Sequence, residues 1–248
     1  MDLGLKGLNA VITGSTAGIG KAIALSLAKE GVNVAICSRR QEKVDETLEE
    51  LSVYPVKSVG GAVDITHKEA FQQWVNQSAE ALGGIDIFVA NVSPMSGKWM
   101  DAVNTDILST VSSIDAALPW VKQSDNGSII YISSMAGVIA TPQLPPYGAA
   151  KAAMTHYMKT LSKMLIKDAV RVNTVSPGDI IFKGGNWDNL RINNPEAFKG
   201  VLRRNPRGTL GTPEEIAQVV TFLSSPMASL VNGGHLVVDG GSTGHIHF

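Results

Sequence analysis

Asn9-Ala10-Val11-Ile12-Thr13-Gly14-Ser15-Thr16-Ala17-Gly18-Ile19-Gly20 runs from a short apolar strand through a glycine-rich turn into a helix beginning at Lys21. Glycines in such a turn let the backbone bend tightly and approach a pyrophosphate. The phosphates then rest on the N–H groups and positive dipole of the helix N-terminus. A glycine-rich turn alone is a weak signal, but this one follows the first strand and opens the first helix, as that mechanism requires. Gly14, Ser15, Thr16, Gly18, Ile19 and Gly20 are therefore candidate contacts for a dinucleotide.

The same alternation of short apolar runs and longer helical stretches continues almost to the end. Strands are expected at Asn9–Thr13, Asn33–Cys37, Ile85–Ala90, Ser128–Ser133, Val170–Val175 and Gly234–Asp239. Helices are expected at Lys21–Glu30, Glu42–Ser52, Lys68–Leu82, Asp101–Lys122, Tyr147–Ile166 and Glu214–Ser224. Strands apolar on both faces and separated by helices imply an α/β fold, with a parallel sheet covered on both sides. No linker, repeat or low-complexity segment divides the chain, so residues 1–248 are expected to form one domain. One irregular stretch, Gly178 to about Gly211, holds Trp187, Phe198, Pro195 and Pro206, and a long loop of this kind usually carries function.

Composition narrows the partners. Hydrophobic residues at 44% and charged residues at 17% allow a sizeable core and argue against disorder. A net charge of −1 argues against nucleic acid, whose phosphates need a basic footprint. The single cysteine, Cys37, excludes an internal disulfide and fits a reducing compartment. The stretch MDLGLKGLNAVITG lacks the pattern of a secretory signal, and no apolar run reaches the ~18 residues of a membrane span, which predicts a cytoplasmic protein.

The second strand ends in Cys37-Ser38-Arg39-Arg40. An acidic residue there would hold the ribose 2′-hydroxyl of NAD, whereas arginine accommodates a 2′-phosphate. Ser38, Arg39 and Arg40 thus favour NADP(H) over NAD(H). Ahead of the third expected helix, Val63-Asp64-Ile65 could set a carboxylate on the adenine amino group. Capping of the next helix is a competing role for Asp64, and Thr66 competes for the cap.

Tyr147-Gly148-Ala149-Ala150-Lys151 places a phenol and an ammonium four residues apart, on one face of a helix. The positive charge is expected to favour phenolate and bring the phenol into use as an acid or base near neutral pH. A nucleophilic-serine chemistry fails, because GxSxG is absent and no histidine–carboxylate pair accompanies the serines.

Together these residues resemble the short-chain dehydrogenase/reductase family over essentially the whole chain. The matching residues are the TGxxxGIG loop at 13–20, Asp64, Asn91, Ser134, Tyr147 with Lys151, Ser176-Pro177-Gly178 and Asp239-Gly240-Gly241. The resemblance implies a Rossmann-type domain with seven parallel strands, transferring a hydride between a nicotinamide cofactor and a carbonyl or alcohol. It is nearest in kind to 3-oxoacyl-carrier-protein reductases. Tyr147 would exchange the proton, Lys151 would hold the nicotinamide ribose, and Ser134, thirteen residues before Tyr147, would bind the substrate oxygen. Ser133 should face the other side of its strand. Asn91, Ile65, Pro177, Gly178 and Ile180 would line the cofactor. The resemblance also implies a homotetramer or homodimer. An NAD-dependent dehydrogenase of a sugar, polyol or hydroxysteroid is the alternative, and a non-catalytic nucleotide sensor a more distant one.

Three positions depart from the family pattern. Counting back from Leu118-Pro119, the usual asparagine becomes Asp106, where a carboxylate could pair with Lys151 while adding negative charge near Tyr147. The usual NNAG becomes Ala90-Asn91-Val92-Ser93. The usual threonine that touches the nicotinamide carboxamide becomes Phe182. The segment from 179 to about 211 is expected to cover the site, with Leu144, Phe182 and Trp187 as candidate substrate contacts and Phe198 and Met95 beside them. Arg191, Arg203, Arg204 and Arg207 are expected mainly at the solvated surface. His245 and His247 lack the carboxylate or cysteine partners of a metal site, so no metal is expected and the tail is assigned to a subunit interface.

Overall fold

A computed structural model describes residues 2–244. The tail histidines therefore lie outside the described residues. Seven parallel strands form one sheet in the order β3-β2-β1-β4-β5-β6-β7. They are β1 (Asn9–Ile12), β2 (Asn33–Ser38), β3 (Ser58–Ala62), β4 (Ile87–Ala90), β5 (Ser128–Ile132), β6 (Arg171–Pro177) and β7 (His235–Val238). The Rossmann-like α/β fold is the one expected.

Strand alternation divides the core between the two faces of the sheet. Val11, Ala35, Phe88, Ile129 and Val172 point to one side, against Phe71 and Val75 of α3 (Lys68–Leu82) and Met154, Met158 and Leu161 of α5 (Pro145–Met164). The helical run of residues 99–121, here α4, packs on that same side through Ile114, Ala117 and Val121. Ala10, Ile12, Val34, Ile36, Val89 and Ile130 point the other way. There they meet Ile23 and Leu27 of α1 (Gly18–Lys29), Val44 and Leu51 of α2 (Gln41–Leu51), and Val220 and Leu223 of α8 (Pro213–Ser224).

Two elements differ from the sequence reading. The third strand, Ser58–Ala62, is SVGGA and carries almost no apolar signal. Its glycines are there for close approach. A Cβ on Gly60 would lie 2.6 Å from Val44 Cγ1, and one on Gly61 2.9 Å from Trp74 Nε1. Second, the stretch after Gly178 is no continuous loop, since it contains α6 (Asn186–Asn193) and α7 (Pro195–Arg204). Asn194 caps α7 by accepting from the Ala197 N–H at 3.1 Å, and Pro195 occupies its first turn.

Helix α4 is not uniform. Trp99–Asp101 and Thr110–Val121 are α-helical, but Ala102–Ser109 between them is a π-helix. The wider turn is stitched by side chains, with Ser109 Oγ donating to Asn104 O at 2.7 Å. Such π segments are rare and recur at functional sites. This one packs against α5.

Candidate active site

β1 and β4 are neighbours although β2 and β3 come between them in sequence, so the strand order reverses at that pair. In open α/β sheets ligands bind beyond the carboxyl ends of the strands at such a switch point. A cleft of about 420 Å³ lies there, and its walls include Gly14, Thr16, Ser38, Arg39, Asp64, Ile65 and Asn91.

The floor is the glycine turn. Gly14 and Gly18 have φ of +62° and +51°, a left-handed backbone that side chains disfavour. Gly20 would drive a Cβ into Gly14 O and to 2.5 Å from Asn91 Nδ2. Asn91 holds this turn by donating from Nδ2 to Thr13 O and Gly14 O, each at 3.1 Å. Ala17, the residue before α1, provides no side-chain cap, so the first N–H groups of that helix are left to a ligand or water. The chain thus forms the cradle that a dinucleotide pyrophosphate requires.

Not every residue of the sequence reading reaches the cleft. Ser15 is fully buried; its hydroxyl donates to Ile12 O at 2.7 Å and accepts from Cys37 N–H at 3.0 Å, tying β1 to β2. Arg40 runs along α2 toward Glu42 at 3.7 Å, while Arg39 lines the cleft. Asp64 caps no helix. It accepts from the Thr66 N–H at 2.9 Å and hydroxyl at 2.8 Å, and the residue preceding α3 is His67. Burial pushes the Asp64 carboxyl up, but the Thr66 bonds and the charges of Arg39 and His67 bring it below its ordinary value. Gly178 presses on Asp239, where a Cβ would stand 2.7 Å from the Asp239 backbone. Ile180 is buried and bridged to Gly211 beside Pro177 at the end of β6. Ile19, at the mouth of α1, is half-buried against the α8 side of the core.

Ser134, Tyr147, Lys151 and Asp106 converge from three elements. Ser134 follows β5, its Oγ accepts from Ala136 N–H at 3.1 Å, and its hydroxyl acts on the Tyr147 phenol to favour the ionised form. Ser133 points away from it, as strand alternation requires, to Thr155 Oγ1 at 2.8 Å. Tyr147 is in the first turn of α5 and Lys151 one turn later, both buried. The Lys151 Nζ donates to Ile132 O at 3.1 Å and stands 3.5 Å from Asp106 Oδ1. It also lies 4.9 Å from the Tyr131 ring centroid and 5.7 Å from that of Tyr147.

This geometry reverses one electrostatic expectation. Burial pushes the Tyr147 phenol up to about 12, opposed by the neighbouring Ser134 hydroxyl and reinforced by Asp106. Lys151 does not depress it here, because the ammonium is directed to Asp106 and the Ile132 carbonyl. Burial lowers Lys151 itself, and Asp106 opposes that fall. Tyr131 carries no motif signal, although its place in β5, two residues before Ser133, gives the two side chains the same direction. Thr105 and Pro94 carry no sequence signal of their place in the cleft wall, beside Val92 and Ser93 of the altered NNAG stretch.

The Phe182 ring, expected at the substrate, lies instead against Gly18 of the glycine turn and against Gly185, within 2.7 Å and 2.9 Å of a Cβ at either position. Asn186 reaches Met95 Sδ at 3.9 Å, and Leu144 approaches Gly97. Trp187 and Phe198 are half-buried.

The family model described as enoyl-(acyl carrier protein) reductase matches residues 14–243, and the chain belongs to the short-chain dehydrogenase/reductase family. It is 37% identical to isoepoxydon dehydrogenase of Penicillium expansum, over 97% of this chain and 96% of that protein. It is 31% identical to a 3-oxoacyl-[acyl-carrier-protein] reductase of Thermotoga maritima, over 96% of this chain and 98% of that protein. The crystal structure of L-sorbose reductase from Gluconobacter frateurii, complexed with NADPH and L-sorbose, superposes with a TM-score of 0.91 at 31% identity, covering 99% of this chain and all of the other. The chain is therefore an oxidoreductase of this family. Among the described residues, no helix is long and apolar enough to cross a membrane, and no group of three candidate ligands could hold a metal.

Proposed function

We propose that this protein transfers a hydride between NADP(H) and a small carbonyl or secondary-alcohol substrate. The observation that carries the reading is the convergence of Ser134, Tyr147 and the buried Lys151, set beside a cleft floored by the glycine turn. When bound, the nicotinamide supplies or accepts the hydride. Tyr147 Oη gives its proton to the substrate oxygen in reduction and takes it back in oxidation. The Ser134 hydroxyl orients that oxygen and offsets the charge developing on it. By likeness to the family, Lys151 would turn to the nicotinamide ribose once the dinucleotide is bound, and Leu144 and Trp187 would flank the substrate.

Relatives named for L-sorbose, isoepoxydon and 3-oxoacyl carrier-protein substrates support the carbonyl/alcohol chemistry. Exposed Trp99, Met100 and Leu108 on α4 support association into a homotetramer or homodimer, and the single buried Cys37 fits a cytoplasmic location.

Arg39 supports the choice of NADP(H), since it lines the cleft at the end of β2 with no carboxylate beside it on that strand. A guanidinium–phosphate contact is charge-assisted and specific. In a side-by-side titration, wild type should bind NADPH more tightly than NADH. Arg39→Ala should lose about tenfold or more of the NADPH affinity, the equivalent of one charged hydrogen bond. NADH affinity should hardly change. Equal losses for both dinucleotides, or a wild type preferring NADH, would overturn the cofactor assignment.

A further inference from the structure

Asp106 is 0% exposed, and neither of its carboxylate oxygens has a hydrogen-bond partner among the described residues. A buried carboxylate in that state is costly unless an opposite charge is at hand. The charge at hand is the Lys151 ammonium, 3.5 Å away and 1% exposed. The π-helical turn delivers Asp106 to this position while the preceding Thr105 faces the cleft. Around the pair stand Tyr131 from β5, Ser133 just after it and Tyr147 from α5. Within this cluster the charged groups are Asp106 and Lys151 alone.

We propose that Asp106 is a positioning residue, whose carboxylate anchors the Lys151 ammonium and cancels its charge at Tyr147, so that Tyr147 exchanges protons at higher pH than with a neutral side chain at 106. The inference rests on Tyr147 being the acid–base group. An isolated ammonium near a phenol favours phenolate, whereas an ion pair presents almost no net charge to it. Burial then decides, and burial favours the neutral phenol. Removing the carboxylate leaves the Lys151 ammonium unpaired, and the bare ammonium draws Tyr147 toward ionisation at lower pH.

The test is the pH profile of kcat/KM in both directions for wild type, Asp106→Asn and Tyr147→Phe, with near-ultraviolet absorbance of the phenolate measured against Tyr147→Phe. Asp106→Asn is expected to move the limb for alcohol oxidation about one pH unit or more to the acid side. The loss of reduction should shift in the same direction. Profiles that superimpose, or an alkaline shift, would overturn the proposal. Should Asp106→Asn fail to fold, the wild-type absorbance still decides. Tyr147 must ionise at or above the ordinary phenol value of about 10, and ionisation well below it refutes the proposal. A fully active Tyr147→Phe would instead refute the catalytic reading on which this inference rests.

Discussion

Tyr147→Phe is expected to lower kcat/KM by about two to four orders of magnitude, the range that positioned proton transfer contributes. Dinucleotide affinity and melting temperature should stay near wild type. The ring is 7% exposed and its packing survives the loss of one oxygen, while the cleft walls at Gly14, Arg39 and Asp64 are untouched. Ser134 keeps the bond it accepts from the Ala136 N–H. Steady-state rates, a fluorescence titration with NADPH and a thermal melt check the three statements. An activity close to wild type would remove Tyr147 from the chemistry.

Gly20→Ala is expected to damage the nucleotide end about as severely. Its new methyl would collide with Gly14 O, a backbone atom, and come within 2.5 Å of Asn91 Nδ2. Neither is the free end of a flexible chain, since Asn91 is held by two bonds to the turn. Relief requires the turn to open, so stability should fall by about 1–3 kcal/mol, the usual cost of overpacking. NADPH affinity should fall roughly tenfold or more as the N–H groups of α1 lose alignment. Melting and titration together read both effects. Unchanged affinity would show that the turn does not cradle the phosphates.

Most of the architecture could be read from the chain because the strands are buried on both faces. Runs such as NAVI and SIIYI are apolar without alternation, and the spacing between them leaves room for helices. β3 escaped that logic. Glycine replaces side chains in SVGGA so that Val44 and Trp74 can close over the sheet, and apolar patterning cannot register a space filled by a neighbour. The segment after Gly178 reads as irregular because Pro195 and Pro206 look like breakers. Asn194-Pro195 was in fact a start signal for α7.

At the site, spacing sufficed to bring Ser134, Tyr147 and Lys151 to one place, and strand alternation separated Ser134 from Ser133. What spacing could not deliver was direction. Lys151 lies one turn from Tyr147, yet its Nζ is turned to Asp106 and Ile132 O, and that choice depends on a π-helical turn with no clear sequence mark. The expected lowering of the phenol by lysine therefore gives way to burial. Likewise Arg39 and Arg40 are indistinguishable in sequence. Only the folded chain shows one in the cleft and the other beside Glu42.

The central claim is hydride transfer to a carbonyl with NADPH, and nicotinamide absorbance measures it directly. Wild type and Tyr147→Phe would be assayed with NADPH and NADH against a panel of sugar ketones, cyclic ketones and β-keto thioesters, and with NADP⁺ and NAD⁺ against the matching alcohols. Substrate-dependent oxidation of NADPH, faster than that of NADH and lost in Tyr147→Phe, is the predicted result. Tight binding of NADPH without turnover of any carbonyl or alcohol in the panel would contradict it and favour a nucleotide sensor built on the same fold.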